Sequence, residues 1–426
     1  MDTLTERYQH RRRRLMEQMG RGAALIGSPG LSPDKMLWDK NLRYLTGLDD
    51  RSASLLLVPD GVMVEGLETL SGPELGRGRR AHELLFVEEK DEKDAFMDGP
   101  SPSFEDIQQV TGVDRVYSLA KRDEILETAL MTTDTLWLNT PHTPSINHPL
   151  TNDVLFANRI RERFYWIMLK NASPIIHQMR FVKDDYEVAC LRCAFEIQAD
   201  IFEKIIRALK PGENESLGQA IYDYEVTIRA DQNVKSMGED LYTASIIVGA
   251  GNNSAIPHYM GNNQMIRDGD LVLIDSGVSV DGYSADITRT FPANGCFTPR
   301  QRELYAVVLE AEQAAIATMK PSSTMLAAHQ AVHEVFKRYG LDKYSYGNCG
   351  HPVGLNIHDA NGPYPDDREQ SFEPGVVVVI EPFLMLPDEH MGIRIEDGVL
   401  ITEHGHEVLA GPPREIEEVE ALCQRD

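Results

Sequence analysis

The chain is short of positive charge, of cysteine and of long apolar runs, and each shortage removes a class of function. Its 426 residues hold 42 Lys and Arg against 67 Asp and Glu, a formal net charge of −25. Such a field repels phosphate backbones and anionic lipid headgroups, so neither nucleic acid nor a membrane surface is expected as a partner. The longest aliphatic block is residues 376–380, far below the roughly 20 apolar residues that a membrane helix needs. Five cysteines (Cys190, Cys193, Cys296, Cys349 and Cys423) form no even, closely spaced set. That excludes a disulfide-built scaffold and points to a reducing compartment, the cytoplasm by default. Cys190 and Cys193 make a C-x-x-C, but no second pair completes a zinc site, and both read as packing residues of a helix. Four arginines at residues 11–14 precede a stretch too polar for a signal-peptide core, and read as the solvated face of an amphipathic helix.

What remains is ordinary globular composition, 42% hydrophobic and 26% charged, at a length that asks for two domains. The first part alternates short apolar runs (residues 23–26, 54–58, 84–87 and 136–138) with polar turns such as Pro59-Asp60-Gly61 and helical stretches such as 103–110. It reads as a small mixed α/β sheet domain. Residues 91–102, charged and then rich in Gly, Pro and Ser, read as a surface loop. The texture changes after Pro174. Lys183-Asp184-Asp185 opens a helical pattern through Val188, Leu191, Phe195, Ile201 and Ile205, stopped at Pro211-Gly212. The boundary is set near residue 175, giving domains 1–175 and 176–426. Thr298-Pro299-Arg300-Gln301 is an N-cap with a proline at the first helical position and a capping-box glutamine. That second helix ends before Pro321, and a third spans 323–339 up to Gly340. With strands between them, the C-terminal part reads as α+β with an antiparallel sheet.

The chemistry concentrates there. Residues 270–288 are two strand-like runs around Asp281-Gly282, a hairpin turn signal. With those two residues at the turn, Val280 faces Tyr283, Gly277 faces Asp286 and Asp275 faces Thr288. Asp275 and Asp286 then share one face as diagonal neighbours, Cα atoms roughly 7–8 Å apart, within reach of a common cation. Two aspartates on an apolar hairpin need a counter-charge. His351, Glu381 after the strand 376–380, and Glu396 beside the Asp397-Gly398 turn can complete a site. Four carboxylates and one imidazole carry −4, which two divalent cations neutralise, and the oxygen-rich set suits Mn²⁺, Co²⁺, Fe²⁺ or catalytic Zn²⁺.

Other patterns are less informative. His329 and His333 lie at i and i+4, but Gln330 replaces the glutamate of a zincin, so they read as a plain helix face. Val248-Gly-Ala-Gly lacks the third glycine of a dinucleotide loop and reads as a loop that presents His258. His404 and His406 read as an exposed turn.

Ile274-Asp275 with Asp286-Ile-Thr-Arg-Thr-Phe-Pro292, His351-x-x-Gly-x-x-x-His358-Asp359, Ile380-Glu381-Pro382 and Gly392-Ile-Arg-Ile-Glu-Asp397 resemble the dinuclear metallopeptidases of the aminopeptidase P and prolidase family. Asn41-Leu-Arg-Tyr-Leu-Thr-Gly47, residues 88–100 and residues 413–422 extend the resemblance over essentially the whole chain. It implies an N-terminal creatinase-like α/β domain followed by a C-terminal pita-bread α+β domain, in a homo-oligomer such as a dimer or tetramer. By the same resemblance Asp275 would hold one metal, His351 and Glu381 the other, and Asp286 and Glu396 would bridge them. Two metals about 3.5–4 Å apart acidify a shared water and stabilise a tetrahedral oxyanion. Glu381 would be the general base, His258 and His358 would contact substrate, and Arg394 would orient Glu396 or meet a substrate carboxylate. The implied activity is removal of the N-terminal residue from Xaa-Pro peptides, most simply with Mn²⁺. The rivals are a dipeptide-restricted prolidase and a non-catalytic peptide-binding module. This chain also has Phe383 where the family usually carries glycine, one step from a metal ligand.

Overall fold

A computed structural model describes residues 3–27, 40–50, 52–64, 80–140, 150, 152–236, 245–346, 349–360, 362 and 367–424. Two compact units emerge, residues 1–177 and 178–426.

The first unit is built on a six-stranded mixed sheet. Its strands are β1 (Ala23–Ile26), β2 (Ser54–Met63), β3 (Arg80–Val87), β4 (Arg115–Ser118), β5 (Thr135–Leu138) and β6 (Met168–Asn171), in the order β4-β3-β2-β1-β5-β6. The apolar runs expected as strands are these strands, and Leu25, Leu56, Leu84, Phe86 and Leu136 form the core with Leu126 and Leu130 of a covering helix. Three expectations change. Residues 59–61 are no turn but a bulge inside β2, between Leu57 and Val62. Within 91–102, Glu92–Asp98 is an exposed helix, started by Asp91, whose carboxylate accepts the Asp94 amide. Helix Leu4–Met19 starts at a capping box of Thr3 and Glu6, and its Arg11 and Arg12 are buried rather than solvated. Arg12 is spent on Glu83 and on the carbonyls of Leu45 and Thr111. A buried guanidinium is tolerable when a carboxylate faces it and carbonyls take its donors.

The second unit opens with helix Asp185–Ala208, capped by Asp184 and Glu187 and burying Leu191, Phe195, Ile201 and Ile205. Cys190 packs in this core while Cys193, one turn on, is exposed, so only the first is a packing residue. Helix Pro299–Ile316 begins at the Thr298/Gln301 capping box, and helix Met325–Arg338 at Thr324.

Around these helices run β7 (Val234–Ser236), β8 (Ile247–Ala250), β9 (Leu271–Ser276), β10 (Val278–Val280), β11 (Tyr283–Ser284) and β12 (Ile287–Pro292). They are followed by β13 (Gly350–Pro352), β14 (Val377–Ile380), β15 (Phe383–Leu386), β16 (Met391–Arg394), β17 (Asp397–Thr402) and β18 (Gly405–Val408). All pair antiparallel, as sheets β12-β9-β8, β11-β10-β7, β13-β14-β17-β18 and β15-β16.

The hairpin holds the register read from its turn. Val280 pairs with Tyr283 and Asp275 with Thr288, and Asp281 and Gly282 both take the positive φ that such a turn requires. One register nevertheless serves two sheets. The change of sheet falls at Gly277, where a Cβ would lie 1.8 Å from the Ala285 carbonyl oxygen, so only glycine permits the crossing.

Candidate metal centre

Each candidate ligand sits where a strand ends or turns. Asp275 is on β9, flanked by Ile247 of β8 and Thr288 of β12. Asp286 lies between β11 and β12, His351 on the edge strand β13, Glu381 just past β14, and Glu396 between β16 and β17. A single bridge, Thr288 to Glu396, joins the hairpin to this last segment, the Glu396 amide donating to the Thr288 carbonyl at 3.1 Å. Strand ends fix the backbone while leaving carboxylates free to converge.

They do converge. Ligand atoms of Asp275, Asp286 and Glu396 lie within 4.8 Å of one another, and so do those of His351, Glu381 and Glu396. A third group of the same spacing is Asp286, His351 and His358. His351 Nε2 is 3.5 Å from Asp286 and 3.9 Å from Glu381, while its Nδ1 lies 3.1 Å from the Pro352 carbonyl. If Nδ1 donates there, Nε2 is left as the free lone pair that a metal takes.

The electrostatics show what the cluster lacks. Burial first, then Asp275 and Glu381, hold Asp286 well above the usual carboxylate range. Burial and the charges of Asp286, Glu381 and Asp275 do the same to Glu396. Glu381 is also raised by burial, with His351 and Arg394 pulling back, and keeps about a fifth of its side chain open to solvent. Like charges this close cannot all ionise without compensation. Glu396 is 1% exposed; its Oε2 accepts from the Thr288 hydroxyl at 2.8 Å, and its Oε1 is buried with no hydrogen-bond partner. A buried carboxylate with one unpartnered oxygen, grouped with Asp275, Asp286, His351 and Glu381, fits a divalent cation.

Arg394 lies between Asp275 and Thr288. It is 3% exposed, and its guanidinium pairs with Asp275 and donates to Thr288 Oγ1 at 3.1 Å and the Pro257 carbonyl at 3.4 Å. Burial works against its charge, but Asp275, Glu381 and Glu396 outweigh that and strengthen its protonation. Its fork is taken up by Asp275 and the loop before His258, so it reaches Glu396 only through Thr288. Thr288, wholly buried, was not singled out in the sequence; the alternation Asp286, Thr288 on one strand face is the signal that could have found it.

His358 stands beside two of the ligand candidates, Asp286 and His351. Its ring meets His351 edge-on, centroids 4.2 Å apart. Burial, then the charges of His351 and His258, push its pKa below the ordinary histidine range. His258 is exposed, near enough for its charge to act on Glu381 and His358. Phe383 pairs with Arg394 across β15 and β16 and packs against Ile247, Leu273 and Met385, with Tyr259 and Met260 on the same cluster. His329, His333, His404 and His406 take no part in the three ligand groups among the described residues.

The arrangement defines a class first: a carboxylate-rich centre on antiparallel strands, suited to hard or borderline divalent cations. The family model "Metallopeptidase family M24" matches residues 189–403 and "Aminopeptidase P, N-terminal domain" matches residues 8–137. The chain belongs to metallopeptidase family M24. It carries the family's two-domain fold, an α/β creatinase-like N-terminal domain and an α+β pita-bread domain. The Xaa-Pro aminopeptidase of Escherichia coli K12 is 28% identical over 98% of this chain and 97% of its own length. The Xaa-Pro dipeptidase of Pyrococcus furiosus is 31% identical over 71% of this chain and 80% of its own. Among solved structures, Pseudomonas aeruginosa aminopeptidase PepP superposes with a TM-score of 0.81 at 28% identity, over 99% of this chain and 98% of that one.

Proposed function

We propose that this chain is a metal-dependent Xaa-Pro aminopeptidase that hydrolyses the bond between an N-terminal residue and a following proline. The observation that carries the reading is the convergence of four carboxylates and His351 around the unpartnered Glu396 oxygen. Asp275, Asp286, His351, Glu381 and Glu396 would hold two divalent ions, with Mn²⁺ the first choice among Mn²⁺, Co²⁺, Fe²⁺ and Zn²⁺. Bound there, the ions would supply Lewis acidity toward water and the scissile carbonyl.

The protein's own groups do the rest. Glu381, partly open to solvent and raised by burial, accepts the proton of the attacking water and returns one to the leaving proline nitrogen. His258 and His358 donate hydrogen bonds to the developing oxyanion or hold the scissile amide. His358, held neutral at working pH, serves as a donor rather than a fixed charge. Arg394 and Thr288 fix Asp275 and Glu396. Loss of metal in His358→Ala would move that residue into the ligand set, as its place beside Asp286 and His351 allows.

Domains 1–175 and 176–426, a homodimer or homotetramer, and the cytoplasm complete the proposal. The last rests on five free cysteines, and no helix among the described residues is long and apolar enough to cross a membrane. A dipeptidase is the second reading, favoured by the similarity to the Pyrococcus protein.

The test compares release of the N-terminal residue from Xaa-Pro-Yaa, Xaa-Ala-Yaa and Xaa-Pro after chelation and after Mn²⁺ is restored. Chelation should abolish activity, and Mn²⁺ should restore cleavage of Xaa-Pro-Yaa above all. Cleavage of the dipeptide alone would make the enzyme a prolidase. No cleavage with two ions bound would leave a binding module.

A further inference from the structure

Glu215 lies outside the metal centre, at the start of helix Ser216–Thr227, and is completely buried. Its two carboxylate oxygens accept five hydrogen bonds. Oε1 takes the Ala250 amide at 2.8 Å and the Asn253 side-chain amide at 2.9 Å. Oε2 takes the Asn263 amide at 3.0 Å, the Gln264 amide at 2.9 Å and the Tyr259 hydroxyl at 3.0 Å. An ionised carboxylate offers about four lone-pair sites, so this one is saturated. All five donors are uncharged, and all come from one stretch, residues 250–264, that carries His258.

The stretch has little regular structure of its own: a short 3-10 turn, Gly251–Ala255, follows β8. Elsewhere it touches Arg394, the partner of Asp275, and the strand that precedes Glu396. The Pro257 carbonyl accepts from both terminal nitrogens of Arg394 at 3.4 Å, and Ser254 Oγ accepts the Gly392 amide at 2.8 Å. A Cβ at Gly392 would sit 2.0 Å from the Ser254 carbonyl oxygen, so the turn is seated hard against β16. The segment is thus fastened at one side to β16, through Gly392 and Arg394, and at the other to Glu215, with His258 between the Pro257 and Tyr259 attachments.

We infer that Glu215 is a positioning residue for catalysis: its carboxylate ties both ends of the 250–264 segment to one point and thereby sets His258 over the reaction centre. This rests on the role given to His258 above. Glutamine at this position keeps the shape but turns an NH₂ toward donors, and aspartate keeps the charge but falls one methylene short.

The experiment measures kcat and KM of the Mn²⁺-loaded full chain with Xaa-Pro-Yaa for Glu215→Gln, His258→Ala and the double variant, with hydrogen–deuterium exchange of residues 250–264. Glu215→Gln should lower kcat about ten- to a hundredfold, the scale of a misplaced catalytic group, with two ions still bound and exchange of the segment faster. On the His258→Ala background the same change should cost less than about twofold, since groups acting as a unit are not additive. Equal losses on both backgrounds, or unchanged exchange, overturn the inference. Should Glu215→Gln not fold, Tyr259→Phe, which deletes one donor, must give the same non-additive pattern at smaller size. A silent His258→Ala is a failure of the histidine's assigned role, and the exchange result then decides the anchoring alone.

Discussion

Two buried charge clusters stand side by side in the second unit, one ending at Glu396 and the other beginning at Asp397. In the second cluster Arg289 pairs with Asp397 at 2.6 Å, and Arg414 pairs with Asp397 at 2.8 Å and Glu312 at 3.4 Å. Two arginines meet two carboxylates. Burial alone would raise Asp397, but Arg289 and Arg414 overcome it and hold its pKa below the usual value. Glu312 takes the opposite shift, pushed up by burial and by Asp397. In the first cluster four carboxylates meet one arginine and an imidazole, and both Glu396 and Asp286 are driven upward. A chain that can neutralise one buried cluster with its own side chains leaves the neighbouring one short of positive charge, and that shortage is where outside cations enter.

Glu381→Gln gives the sharpest break in the comparison. Removing the base should lower turnover about a hundred- to ten-thousandfold, with the circular dichroism spectrum unchanged; retained turnover would remove Glu381 from that role. Arg289→Met attacks the self-neutralised cluster instead. Stranding Asp397 should cost about 3–5 kcal/mol in urea unfolding, with or without divalent ions. A loss that Mn²⁺ repairs would mean that the two clusters are one. Thr288→Val removes the hydroxyl that holds Glu396 and receives Arg394, and should weaken Mn²⁺ binding about 10- to 100-fold by calorimetry.

The smallest effect is the pH dependence of the metal-free protein. Asp286 and Glu396, raised on folding, contribute stability that is complete below about pH 4 and is lost as pH climbs through their raised values. Asp397, lowered, contributes above that range and loses it as pH falls. The melting temperature without metal should therefore decline as pH rises from about 4 toward 8, and saturating Mn²⁺ should flatten that decline. A flat profile without metal would mean that the site carboxylates are already compensated.

The sequence made legible what local chemistry dictates. An Asp-Gly turn between alternating runs set the register that places Asp275 opposite Thr288, and the capping signal at Thr298 and the apolar period after Asp185 located two helices. What it hid depends on partners far along the chain. The run of residues 11–14 looks solvated until Glu83 is brought to Arg12. Arg394 reads as a partner of Glu396 or of a substrate carboxylate, and its pairing with Asp275, 119 residues back, is not local enough to read. Glu215 is an unremarkable acid beside a proline-glycine stop until residues 250–264 fold back onto it. Helix Glu92–Asp98 buries nothing, so no apolar period announced it.

The single register that runs from β9 to β12 through two sheets makes the hairpin a ruler. Alternation has a period of two, so one residue inserted between Asp275 and Gly277 would turn Asp275 to the opposite face from Asp286 and dismantle the ligand set without touching a ligand. The tip at Asp281 and Gly282 lies beyond both aspartates. An insertion at the tip changes the length of the hairpin without moving either aspartate to the other face, whereas an odd insertion along an arm does move one, so the spacing from each aspartate to the sheet crossing at Gly277 and Ala285, and not the hairpin's length, should separate homologues that retain the centre from those that have given it up.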